Sequence, residues 1–288
     1  MKSIRTFLPS PVIVEVVDIG ANPIDGHPPY QRLLHAGGAR VVGFEPNPQA
    51  LAQLQQQKGP HETYLPDAIG DGGEQTLHLC AAAGMTSILK PNAELLEYFH
   101  GFAGWGRVVG TMQVRTRRLD DIEAIGDVDL LKLDVQGYEL EILRHATKRL
   151  ADAVVVHAET NFLPMYQGQP LFAEVEQYLR AHGLLFHRFA PLVSRVLQPM
   201  LVNDDVYAGL SQVFWADAVF VRDFTRFDLL PPAKLLKLAT ILHDVYGSYD
   251  VALHALAAHD RVTGNDPAKG LAAGYWTWVA RELASAPQ

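Results

Sequence analysis

Cysteine is almost absent from this 288-residue chain, where Cys80 stands alone. One thiol cannot build a disulfide framework, a zinc knuckle or a CxxC redox pair, so a reducing compartment is expected. Basic charge is scarce too: 24 Lys and Arg stand against 32 Asp and Glu, a formal net charge of −8. Binding to duplex nucleic acid needs cations clustered against phosphates, so nucleic acid is not an expected partner. The one local basic cluster, Arg115, Arg117 and Arg118, sits in an alternating strand-like run and reads as a solvated face. Long apolar runs are missing as well. Pro9 and Pro11 interrupt the N-terminal one, and nothing approaches the roughly 20 residues that cross a bilayer. No convincing signal-peptide pattern and no N-x-S/T sequon occurs, which sets the expectation of a soluble, cytoplasmic protein without a membrane partner.

The chain is rich in core material, with 48% apolar residues punctuated by 23 Gly and 18 Pro. Short β-branched runs alternate with helical patterns up to about residue 225. Strands are expected at 12–18 (VIVEVVD), 40–44, 64–68, 75–80, 128–135 (VDLLKLDV), 153–159 (AVVVHAE), 184–189 and 214–221. Between them, helices are expected after Pro28 and Pro29, at 48–57, at 138–150 and at 171–182, the last closed by Gly183. Such alternation predicts an α/β fold, a doubly wound and mainly parallel sheet that binds ligands at the carboxyl ends of its strands. After Asp228 the pattern changes to three helical segments without strands, near 233–246, 249–262 and 268–285. The expected organisation is therefore a domain at 1–228 and a helical C-terminal appendage at 229–288. Packing, a homodimer contact or a lid over the site are the roles open to that tail.

Candidate functional residues fall at strand ends. Asp18-Ile19-Gly20-Ala21-Asn22 follows the first strand; its glycine allows close backbone approach, and its carboxylate suits a hydroxyl or ammonium group. The segment is not GxGxxG, which disfavours a dinucleotide, and not GxxxxGK[ST], which excludes a P-loop. Glu45, in Gly43-Phe44-Glu45-Pro46-Asn47, ends the second strand, where a carboxylate can accept both hydroxyls of a ribose. Asp134 ends the strand LLKLDV, and Lys132 shares its face; His157, Glu159 and Asn161 end the next strand. Asp134, Glu159 and Asn161 could converge as oxygen ligands for a hard divalent ion such as Mg, with a hydrogen-bonded cluster lacking metal as the alternative.

D-I-G-A-N, G-F-E-P-N-P, A-I-G-D-G and L-L-K-L-D-V-Q-G-Y-E-L-E-I-L together resemble the FkbM family of S-adenosylmethionine-dependent methyltransferases, over roughly residues 12–223. The resemblance implies the seven-stranded class I methyltransferase (Rossmann-like) sheet, six strands parallel and one antiparallel strand inserted. It further implies that Asp18, Gly20 and Asn22 line the methionine side of the cofactor, that Glu45 holds the ribose, and that Asp67 and Ala68 flank the adenine. Two departures stand out. Gly20-Ala21-Asn22 continues into Pro23-Ile24-Asp25-Gly26 where the family has G-A-N-x-G, and Gln136 stands where D-x-E-G is common.

The implied reaction is O-methylation of a hydroxyl on a sugar, glycan or other small molecule. Asp134 and Glu159 would lie near the acceptor, with Lys132 or His157 as alternative bases. N- or peptide-group methylation on the same fold is the runner-up, weakened because no D/N-P-P-Y signature follows the fourth strand. A non-catalytic S-adenosylmethionine-binding scaffold is the third reading. The aromatic stretch Tyr98, Phe99, Phe102 and Trp105 reads as core packing or, alternatively, as a lid or carbohydrate platform.

Overall fold

A computed structural model describes residues 2–22 and 26–284. The reshaped first loop at Pro23, Ile24 and Asp25 lies outside those residues, as does the end of the tail from Ser285. Ten strands are present among them: β1 (Val14–Ile19), β2 (Ala39–Phe44), β3 (Glu62–Leu65), β4 (Ala68–Ile69), β5 (Glu74–Cys80), β6 (Val108–Arg117), β7 (Leu130–Leu133), β8 (Val155–Asn161), β9 (Leu184–Arg195) and β10 (Gln212–Arg222). Seven form the main sheet, in the order β3-β2-β1-β7-β8-β10-β9. β1 pairs in parallel with β2 and β7, as do β2 with β3 and β7 with β8, whereas β10 runs antiparallel to both β8 and β9. Six parallel strands with one antiparallel strand inserted is the expected architecture. The strand order reverses between β1 and β7, so a crevice opens at their carboxyl ends.

The third strand differs from its expected 64–68. It ends at Leu65, because Pro66 has no N–H to continue a ladder. Ala68 instead opens β4, which pairs with β6 in a separate three-stranded sheet, β4-β6-β5. The helix expected at 138–150 is two helices, Glu139–Arg144 and Thr147–Asp152. The Asp120 carboxylate accepts from the Lys148 and Arg149 N–H groups at 3.0 and 2.9 Å, capping a fresh start. The intended inward face survives the break, with Leu140, Leu143, Ala146 and Leu150 all buried.

The two faces of the main sheet are covered differently. Val17, Ile19, Leu131, Leu133, Val156 and Phe220 meet the helices that follow β7 and β8. On the other face, β1 and β2 are joined through a helix of only five residues, Gln31–His35, too short to cover them. The tail fills that space. Its helices Pro232–Asp244, Tyr249–Val262 and Leu271–Ala284 share one hydrophobic cluster with Val14, Val16, Leu130, Val155 and Val219. Two tail lysines, Lys234 and Lys237, pair with the fully buried Asp129 at 2.8 Å each.

Candidate active site

One cleft lies at the carboxyl ends of β1, β2 and β7, roofed by the small sheet. Gly20, Asn22, Glu45, Asp67, Ala68 and Asp134 line it. Gly20 is required by the backbone around it: its φ is +82°, and a Cβ there would stand 1.9 Å from the Asp134 carbonyl oxygen. The loop after β1 and the end of β7 are thereby pressed together at one end of the cleft.

Glu45 is buried, and its Oε1 accepts from the Asn47 N–H at 2.7 Å. The Asn47 side chain in turn caps the helix Pro48–Gln57, which fixes the turn. Burial raises the Glu45 carboxyl, an effect opposed by the Asn47 N–H and reinforced by the Asp18 charge. A carboxylate in that state gains from hydroxyl donors, which is what a ribose offers. Asp67, farther along the wall, is held at 3.0 Å by Arg117.

Asp18 does not line the cleft, contrary to expectation. Strand register sets it opposite Lys132, whose ammonium donates to Asp18 Oδ1 at 3.1 Å, and the Tyr30 hydroxyl donates to Oδ2 at 2.5 Å. Its oxygens are taken inside the protein. Lys132 also lies 3.8 Å from Asp134 Oδ2. Burial alone would lower the Lys132 ammonium, but the Asp18 and Asp134 carboxylates outweigh it and hold it well above the usual lysine range. Lys132 is thus held by two carboxylates and does not line the cleft. His157 is the next member of the same row, opposite Lys132. It lies under the tail, with Nδ1 3.1 Å from the Tyr246 hydroxyl and Nε2 3.3 Å from Asp217, and it does not reach the cleft wall.

Asp134, Glu159 and Asn161 do not form an ion-binding set. The side-chain amide of Gln136 bridges the two carboxyl groups. Asn161 is buried with its Oδ1 unpartnered, away from the cleft wall. Among the described residues no group of three or more His, Cys, Asp or Glu side chains could hold a metal. Glu159 is raised well above the usual carboxylate range, first by burial and then by the charges of Asp134, Glu139 and Asp217. Its carboxyl also hydrogen-bonds to that of Asp134, and it does not line the cleft. Asp134 alone among the expected reactive groups opens into the cleft, with its side chain 29% exposed.

Sequence reasoning missed the roof. Leu77 and Leu79 of β5 and Met112 and Val114 of β6 face the cleft, and the period-two alternation in TLHLC and TMQVR was the available signal. Tyr166, an aromatic after the fifth strand of the main sheet that reads from sequence either as core packing or as a substrate-facing ring, is fully buried, with its hydroxyl 3.2 Å from Gln136 Oε1. The aromatic stretch divides: Phe99 and Phe102 are core residues, while Tyr98 is 58% exposed.

Strand order, the inserted antiparallel strand, the glycine turn after β1 and the acidic residue ending β2 around one cleft define a Rossmann-like, class I methyltransferase fold. Residues 18–186 match the Methyltransferase FkbM domain, and the chain belongs to that family of S-adenosylmethionine-dependent methyltransferases. The 2-O-methyltransferase NoeI of Sinorhizobium fredii is 31% identical over 179 residues, covering 56% of this chain and 68% of the relative. Among solved structures, Methyltransferase FkbM from Methylobacillus flagellatus KT aligns with a TM-score of 0.40 at 14% identity, over 75% of this chain and 45% of that one. The LepI complex with SAM aligns with a TM-score of 0.34 at 12% identity, over 76% and 46%. The chain spans less than half the length of these two solved proteins. Among the described residues, no helix is long and apolar enough to cross a membrane.

Proposed function

We propose that this methyltransferase methylates a hydroxyl oxygen on a sugar, a glycan or another small molecule, with Asp134 as the group that takes the hydroxyl proton. The observation that carries the reading is Asp134 itself, a carboxylate opening into the cleft beside Gly20, with Lys132 3.8 Å from one oxygen and Gln136 3.0 Å from the other. The 2-O-methyltransferase relative supports an oxygen acceptor.

Glu45, Gly20, Asn22, Asp67 and Ala68 would hold S-adenosylmethionine, which supplies a methyl group on a positively charged sulfur. The acceptor hydroxyl would lie against Asp134, which would take up its proton as the oxygen receives the methyl group. Alignment supplies most of the acceleration in such a displacement, and proton removal contributes about 10²–10⁴-fold. The small sheet and the segment from Ala83 to Ile88 line the cleft and would limit water around a bound methyl donor.

The test is transfer of radiolabelled methyl from S-adenosylmethionine to a panel of glycosides and small alcohols. Asp134→Asn should lose at least about 10²-fold in turnover while S-adenosylmethionine affinity stays within a few-fold. Full activity in that variant would remove Asp134 from the reaction.

A further inference from the structure

At the acceptor end of the cleft two carboxyl groups from neighbouring strands face a neutral side chain. Gln136 Nε2 donates to Asp134 Oδ1 at 3.0 Å and to Glu159 Oε2 at 2.8 Å, which uses both of its N–H bonds. The amide is not free to turn over. Its Oε1 meets the hydroxyl of Tyr166, a fully buried ring in the cluster with Phe99 and Phe214, and reversal would set that oxygen against the Asp134 carboxylate.

The backbone is committed as well. Gln136 has a φ of +58°, left-handed for a residue with a Cβ, and the Ser87 hydroxyl donates to its carbonyl at 2.8 Å. Such a conformation persists where the surroundings over-determine it. The surrounding charges are Lys132 of β7, Asp18 of β1, Glu139 of the following helix and Asp217 of β10. A hard divalent ion needs oxygen ligands around it, whereas the group that bridges these two carboxyls, which also hydrogen-bond to each other, is a nitrogen with no lone pair to give.

We propose that Gln136 is a positioning residue that fills, with a neutral hydrogen-bond donor, the cation position between Asp134 and Glu159. Asp134 is thereby oriented toward the acceptor without a metal, and a single change to a carboxylate turns the same place into a divalent-cation site. The proposal rests on the reading of Asp134 as the group beside the acceptor.

The experiment titrates Mn2+ alone into the full-length wild type, Gln136→Glu and the Gln136→Glu/Asp134→Asn double variant. S-adenosylmethionine binding serves as the check that each is folded. Gln136→Glu should bind Mn2+ at least about tenfold more tightly than the wild type, and the double variant should lose the gain. No gain in a Gln136→Glu protein that still binds S-adenosylmethionine would overturn the proposal. A second measurement needs no variant to fold: the 15N-resolved side-chain amide signals of wild-type Gln136. Both protons should lie downfield and stay sharp as Mn2+ is added. Saturable broadening of those signals by Mn2+ would show a metal already seated there and overturn the proposal. The Asp134 reading fails separately, through full methyl transfer by Asp134→Asn, an outcome that leaves the Mn2+ result standing.

Discussion

Glu45 and Glu139 are both buried carboxyl groups, and their partners give them opposite uses. Glu45 has one oxygen on the Asn47 N–H and the other available to the cleft. Glu45→Gln keeps an acceptor for that N–H but presents a donor where hydroxyl donors arrive. S-adenosylmethionine affinity should fall about 10–100-fold by calorimetry, the loss of charge-assisted hydrogen bonds. Glu139 is turned inward, and its Oε1 accepts from Val135 and Gly137 N–H groups at 3.0 and 3.1 Å, tying down the loop after β7. Burial pushes its carboxyl up to about 7 against the pull of those N–H groups. The folded state then binds the proton more tightly than the unfolded chain does. Its contribution to stability is full below about pH 4.5 and is lost as pH rises through 7, on the order of 3–4 kcal/mol. Glu139→Gln removes the titration, so its stability relative to wild type should rise between pH 5 and pH 8 in denaturant melts. A constant difference across that range would contradict the assignment.

At the scale of elements, the small sheet does what no single motif announced. β5 and β6 are separated by the segment 81–107 yet pair residue for residue, Leu77 with Met112 and Leu79 with Gly110. Alternation told which residues of a strand share a face, but not that this face would roof the cleft, because that depends on where the pair docks. Leu79→Ala should weaken S-adenosylmethionine binding about tenfold by removing apolar wall, as read by calorimetry. The same division between local and distant information runs through the main sheet. Periodicity placed Lys132 with Asp134 and His157 with Glu159, and both pairings hold. It could not tell that Tyr30 would reach Asp18 from the next connection, or that Tyr246, 89 residues on, would close over His157. The strand-end positions of Gly20, Glu45 and Asp134 were legible because the α/β layout itself dictates where ligands bind. Asp18, one residue before that edge, falls inside it.

For the whole molecule, the change of pattern after Asp228 marks a change of element type within one shared core. Leu235, Leu238, Ile241, Leu242, Leu256 and Tyr275 are buried in the cluster that contains Val14 and Leu130. Each large apolar side chain contributes about 1.5–3 kcal/mol on burial. A chain ending at Asp228 would expose that face and strand the buried Asp129 without Lys234 and Lys237. It should show no cooperative thermal transition. A truncated protein that melts sharply and binds S-adenosylmethionine would mean that the strand layers suffice.

The Lys132 ammonium joins two carboxylates that the chain sets far apart. It serves Asp18, which precedes the glycine turn after β1, and Asp134 at the cleft wall, and it does not itself line the cleft. On the proposed function, Lys132→Met should therefore change donor and acceptor affinity together, a link read by calorimetric titration of each in the presence of the other. The link is set by nothing more than the register of β1 against β7.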